Sequence, residues 1–122
     1  MVQHRTILKV ADNCGAKNLY VISPLGGSGK RKATLGQLVT AVVKGAIPEA
    51  QVKNHEIVRC VIVRCRKEVR RDDGSYIKFD DNAGVVIDKD GNLRATRIFG
   101  PIAREVRDAG YSKIVSLAKE VW

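Results

Sequence analysis

Short apolar runs recur at residues 6–10 (TILKV), 19–23 (LYVIS), 38–44 (LVTAVVK), 57–65 (IVRCVIVRC) and 84–88 (GVVID), each rich in Val or Ile and bounded by Gly, Asn, Asp or Pro. Runs of this length and composition predict strands, because β-branched side chains pack well on a pleated surface and the bounding residues favour turns. The runs are apolar at both parities more often than they alternate. That predicts strands of a small closed barrel whose outer face is partly covered. A helical period appears only near the end, where Ile102, Val106 and Ala109 of PIAREVRDAG fall on one face, Pro101 opens the segment and Gly110 closes it. The following SKIVSLAKEVW fits either a second short helix or an extended tail.

Two Asp-Gly pairs, Asp73-Gly74 and Asp90-Gly91, predict tight hairpins of the type I′ kind. The arm entering the first carries Arg64, Arg66, Lys67, Arg70 and Arg71 against one acid, Glu68. Over the whole chain of 122 residues, 22 Lys and Arg face 13 Asp and Glu, a net charge of +9. A polyanionic partner is therefore expected. Nucleic acid ranks above membrane, because no stretch reaches the ~18 apolar residues of a spanning helix. The amino terminus, with Arg5 and Lys9, lacks the apolar run of a signal peptide. One domain is expected, of a size that buries roughly two thirds of its unfolded surface.

Several motifs that suggest chemistry fail on spacing. GSGK at 27–30 would need Gly at position 24 and a hydroxyl at 31 to cradle a nucleotide, and these are Pro24 and Arg31. It reads instead as a basic glycine-rich loop, with Lys30, Arg31 and Lys32 able to follow a phosphate backbone. The run from Asp88 has Leu93 and Phe99 where a calcium loop needs Gly and Glu. Cys60 and Cys65, five apart in one predicted strand, should leave on opposite faces and share no metal. With Cys14 they read as small buried thiols. His4 and His55 lie in no catalytic or metal motif, and Asp80-Asp81 reads as a solvated turn. No catalytic residue, metal site or cofactor is expected. With one Trp, three Tyr and two Phe there is little for a single-strand binder of OB type to stack bases on. Such a binder stands as the alternative to recognition of folded RNA by charge and shape.

The strings ADNCGA (11–16), RKEVRRDDGSYIKFDDNAGVVI (66–87), ATRIFGPIAREVR (95–107) and KIVSLAKEV (113–121) together resemble the universal large-subunit ribosomal protein fourteen family, in order and over essentially the whole chain. Against that resemblance, the OB-type alternative would be an extraribosomal protein. The compact length is similar to the bacterial or plastid form, so a cytoplasmic or an organellar ribosome is expected. Departures from the family pattern are Cys14, Cys60, Lys119 and Trp122. The resemblance implies a mainly β fold: a small five-stranded β-barrel with a protruding β-ribbon and a C-terminal region of two short helices. Residues 1–100 would form the barrel, with the basic hairpin at about 64–79, and 101–122 the short-helix region packed on it. It implies a structural constituent of the large subunit that binds rRNA, contributes to an intersubunit bridge with small-subunit rRNA, and contacts large-subunit proteins three and nineteen. It also implies a docking surface for a ribosome silencing factor at Thr96, Arg97 and Lys113.

The cations assigned to rRNA are Lys30, Arg31, Lys32, Lys44, Lys53, Arg64, Arg66, Lys67, Arg70, Arg71 and Lys78. Near the docking surface, Ile98 and Phe99 are both expected to face the core and Thr96 and Arg97 the accessible edge, with an internal Arg97–Glu105 ion pair as the rival arrangement for Arg97.

Overall fold

The computed structural model describes residues 2–25, 31–48, 52–88 and 90–122. In chain order the elements are β1 (Val2–Gln3), β2 (Ile7–Val10), β3 (Ala16–Pro24), β4 (Lys32–Ala33), β5 (Leu38–Ala46), β6 (Ile57–Arg64), β7 (Val69–Arg70), β8 (Tyr76–Ile77), β9 (Ala83–Ile87), α1 (Glu105–Asp108) and α2 (Ser112–Leu117). The five apolar runs are thus β2, β3, β5, β6 and β9, and they close into a barrel in that order. Four of its seams are antiparallel. Going round an odd ring with alternating direction brings two like-directed strands together, so the fifth seam, β2 with β9, is parallel. β1 and β4 pair beside the ring, and Val2 and Ala33 join its core.

Inward positions stack in register. Leu8, Leu19 and Val43 form one row and Val21, Ala41 and Val58 another, all buried. β9 is buried at all five positions and β6 at five of eight, because the carboxy-terminal segment covers their outer side. Ile98, Ile102, Val106 and Ile114 pack there on Val61, Val63, Val85 and Ile87. Helices this short are not self-supporting. Burial of Val106 and Ile114, at about 1.5–3 kcal/mol each, is what holds α1 and α2 in place.

The barrel also explains a small residue. A Cβ built on Gly84 would lie 2.8 Å from the Cys60 sulfur and 3.3 Å from Leu8 Cδ1. Gly84→Ala is therefore expected to cost about 1–3 kcal/mol through overpacking, read as a lower denaturant midpoint at unchanged slope.

Three local expectations are corrected. Neither Asp-Gly pair makes a type I′ turn, which needs positive φ at both central residues. Only the glycines have it, Gly74 at 88° and Gly91 at 83°. In the first hairpin the Gly74 N–H donates to Arg71 O and the Arg71 N–H to Ser75 O, a tight turn followed by a bulge; the same bonds join Gly91, Asp88 and Asn92. Cys60 and Cys65 share one core cluster, because a register shift between Ile62 and Arg64 restores the parity that five residues would reverse. α1 begins at Glu105 rather than at Pro101, since the backbone of Ile102 and Ala103 is already bonded to Glu120, Trp122 and Val63, and Ala109 is exposed. The last eleven residues are both things expected of them: α2, then an extended tail paired at Ile102–Val121.

Candidate nucleic-acid interface

The ribbon β7–β8 is two residue pairs long and anchored at its base, where Val69, Ile77 and Phe79 pack on the barrel core. Its turn, Asp72 to Ser75, is exposed, and Asp73 Oδ1 accepts from both the Ser75 N–H and hydroxyl, which holds that carboxyl below its usual range. The cations of this stretch divide into two groups. Arg66, Lys67, Arg70 and Lys78 are exposed; Lys67 pairs with neighbouring Glu68 at 3.0 Å and lowers its pKa, while the other three side chains make no ion pair among the described residues.

Arg64 and Arg71 belong to the second group. The Arg64 Nε donates to Asp81 Oδ1 at 2.9 Å and its Nη1 to the carbonyls of Phe99 and Pro101 at 2.9 and 3.1 Å. Its side chain is 11% exposed. Arg71 donates to Glu105 Oε1 at 2.9 Å and to the Trp122 carbonyl, tying the ribbon to α1 and the tail. Both guanidinium groups hold the carboxy-terminal segment on the barrel. Arg71 is therefore not an interchangeable surface charge, although its neighbour Arg70 is exposed.

Elsewhere, Arg31, Lys32 and Lys53 are exposed, and Lys30 lies outside the described residues. Lys44 is half-buried, with its ammonium 5.4 Å from the centroid of the Tyr20 ring.

At a second edge, Thr96 and Arg97 are exposed, and Thr96 and Lys113 line one shallow groove of about 370 Å³ with Leu93 and Leu117. Arg97 does not pair with Glu105, whose partner is Arg71. Ile98 is buried as expected, whereas Phe99 is 53% exposed, which corrects the expectation that it too faces the core. Alternating extended backbone sends neighbours to opposite sides, and the Phe99 N–H is bonded to Ala11 O.

Two residues of ADNCGA build this edge and were not singled out from the sequence. Asn13 Oδ1 accepts from the N–H groups of Thr96 and Arg97, and its Nδ2 donates to the Thr96 hydroxyl. Asp12, 5% exposed, accepts from the Cys14 N–H at 3.2 Å and the Val86 N–H at 3.0 Å. Burial raises its pKa, opposed by those bonds. Tandem Asp-Asn before Gly was the available signal, since such side chains bond nearby backbone. The three thiols are buried; burial and the Asp12 carboxylate push Cys14 up to about 12, and burial raises Cys60 and Cys65 as well. They are protonated packing groups.

A sequence model of the family described as ribosomal protein L14p/L23e matches residues 1–122, the whole chain. The chain belongs to the L14p/L23e family. Membership makes it a structural constituent of the large ribosomal subunit, associated with rRNA and ribosomal proteins, in a family whose part is structural rather than catalytic. No helix among the described residues is long and apolar enough to cross a membrane.

Proposed function

We infer that the chain binds large-subunit rRNA through the ribbon cations Arg66, Lys67, Arg70 and Lys78 and through the loop cations Lys30, Arg31 and Lys32, with Lys44 and Lys53 adding contacts. The ribbon then contributes to an intersubunit bridge with small-subunit rRNA. Large-subunit proteins three and nineteen are its protein neighbours, and the Thr96–Arg97–Lys113 edge docks a ribosome silencing factor. The observation that carries the RNA reading is the division on the ribbon: Arg64 and Arg71 are spent internally, while Arg66, Arg70 and Lys78 remain exposed without a carboxylate partner among the described residues. Such cations neutralise phosphates and release counterions whatever the base sequence.

The OB-type alternative is disfavoured by the exposed aromatics. Of the six aromatic residues in the chain, Tyr20, Tyr76, Phe99 and Trp122 are exposed, few for a base-stacking platform.

Two measurements test the reading. Tagged protein should sediment with large subunits and stay there in moderately high salt; a soluble pool alone would refute it. Changing Lys30, Arg31 and Lys32 together to Gln should make the log-log salt dependence of RNA binding shallower by roughly 2 to 3 units, taking ~0.7–0.9 per phosphate contact. An unchanged slope would remove this loop from the interface.

A further inference from the structure

The barrel carries an apolar row on its outside that neither the RNA contacts nor the docking edge uses. Ile7 pairs in register with Tyr20, Tyr20 with Val42 and Val42 with Ile57, across β2, β3, β5 and β6. Directly opposed residues in antiparallel strands point to the same face. The row lies between the inward rows Leu8–Leu19–Val43 and Val21–Ala41–Val58, so its own side chains face outward. Ile7 is 52% exposed, Tyr20 40% and Ile57 66%, and Val42 is half-buried between them. Three strand spacings make the row about 14 Å long. A contiguous exposed apolar strip of this kind marks an interaction surface.

Its borders are basic. On one side Lys9, Asn18 and Lys44 pair in register as the next outward row, with Lys44 leaning over the Tyr20 ring. On the other side Arg59, opposite Thr40, is exposed. Glu56, the acid beside Ile57, is already paired with Arg94 at 3.2 Å. A second copy of the chain would set these like-charged borders against each other and is disfavoured. An RNA backbone would satisfy the borders but would leave three aliphatic side chains against phosphate and ribose, with a single aromatic ring for stacking.

We propose that this row is the seat of a protein segment from a neighbouring polypeptide, apolar along one side and acidic along its edges, laid across β2, β3, β5 and β6. About nine helical or four extended residues would cover it. The proposal rests on the ribosomal reading above, because a fixed neighbour in an assembly is what would keep the strip covered.

Photo-crosslinking in purified large subunits tests it. A benzoylphenylalanine is placed at Ile57 in one variant and at Ile7 in another; both sites are more than half exposed, so neither burdens the core. Both are expected to cross-link to one and the same protein segment, carrying Asp or Glu beside apolar residues, and Lys9→Glu with Arg59→Glu, one exposed cation from each border, should abolish both cross-links. Cross-links to rRNA from both ends, to two unrelated segments, or to nothing would overturn the proposal. A chain that never enters the subunit refutes the ribosomal reading and this proposal with it, whereas one that enters and cross-links only to RNA overturns the proposal alone.

Discussion

Replacing Asp12 by Ala is expected to lower the unfolding free energy by about 2–5 kcal/mol, measured as a fall in denaturant midpoint. Asp12 follows the β2 strand where it runs parallel to β9, and its two carboxylate oxygens take the N–H groups of Cys14 and Val86. Truncation strands both buried donors, at about 1–3 kcal/mol each. It also loosens the one parallel seam of the barrel. Asp12→Asn leaves one amide N–H facing another and should cost about half as much. The pH dependence has a definite sign. Burial raises the Asp12 pKa above its ordinary 3.8, so the folded chain holds that proton more tightly than the unfolded one. The corresponding stability is full below the ordinary value and is lost as pH rises through the raised one. Asp12→Asn should flatten this decline, and a wild-type and variant difference that does not change above pH ~4 would contradict the assignment. Glu68 and Asp73 act in the opposite direction, at pH values below the ordinary carboxylate range, and are common to both proteins.

Arg64→Ala is expected to cost about 2–4 kcal/mol. The pair with Asp81 lies between a surface and a fully buried one, with side chains 11% and 28% exposed, and its removal leaves an unpaired carboxylate and two carbonyls without a donor. Arg64→Lys would not restore it, because one ammonium on a flexible stem cannot reproduce a guanidinium fork that reaches three acceptors. At roughly 3–5 °C per kcal/mol for a domain of this size, Tm should fall by roughly 6–20 °C. The same Arg64→Ala variant separates a structural arginine from an RNA-binding one. Corrected for the folded fraction, its salt slope for RNA should be unchanged, whereas Arg70→Gln should reduce the slope by ~0.7–0.9 with little change in Tm. A reduced slope for folded Arg64→Ala would place that guanidinium at the RNA surface after all.

The division between Arg64 and Arg70 shows the limit of reading charge along a chain. Both stand in one basic stretch, and no nearby partner of Arg64 announces that it turns inward. Its partners are 17, 35 and 37 residues away. The one local hint is that Arg64 closes a continuous apolar run, where a cation needs an internal partner to be tolerated. Arg71 finds Glu105 and Trp122 at 34 and 51 residues.

From the sequence by itself came the five strands, the helical period near the end and the basic balance. These rest on hydrophobic runs, turn residues and composition, all of which act over a few residues. The apolar character of IVRCVIVRC and GVVID at both parities already required a second layer over β6 and β9. Tertiary structure alone decided which strands meet at the closing seam, that a bulge puts Cys60 and Cys65 in one core, and that Phe99 turns out beside the buried Ile98. It also decided which cations stay available to a partner. The physical reason is common to all of these: a carboxylate, a carbonyl or an apolar face lowers a side chain's free energy only when the fold brings it within contact distance, and the residues concerned are tens of positions apart.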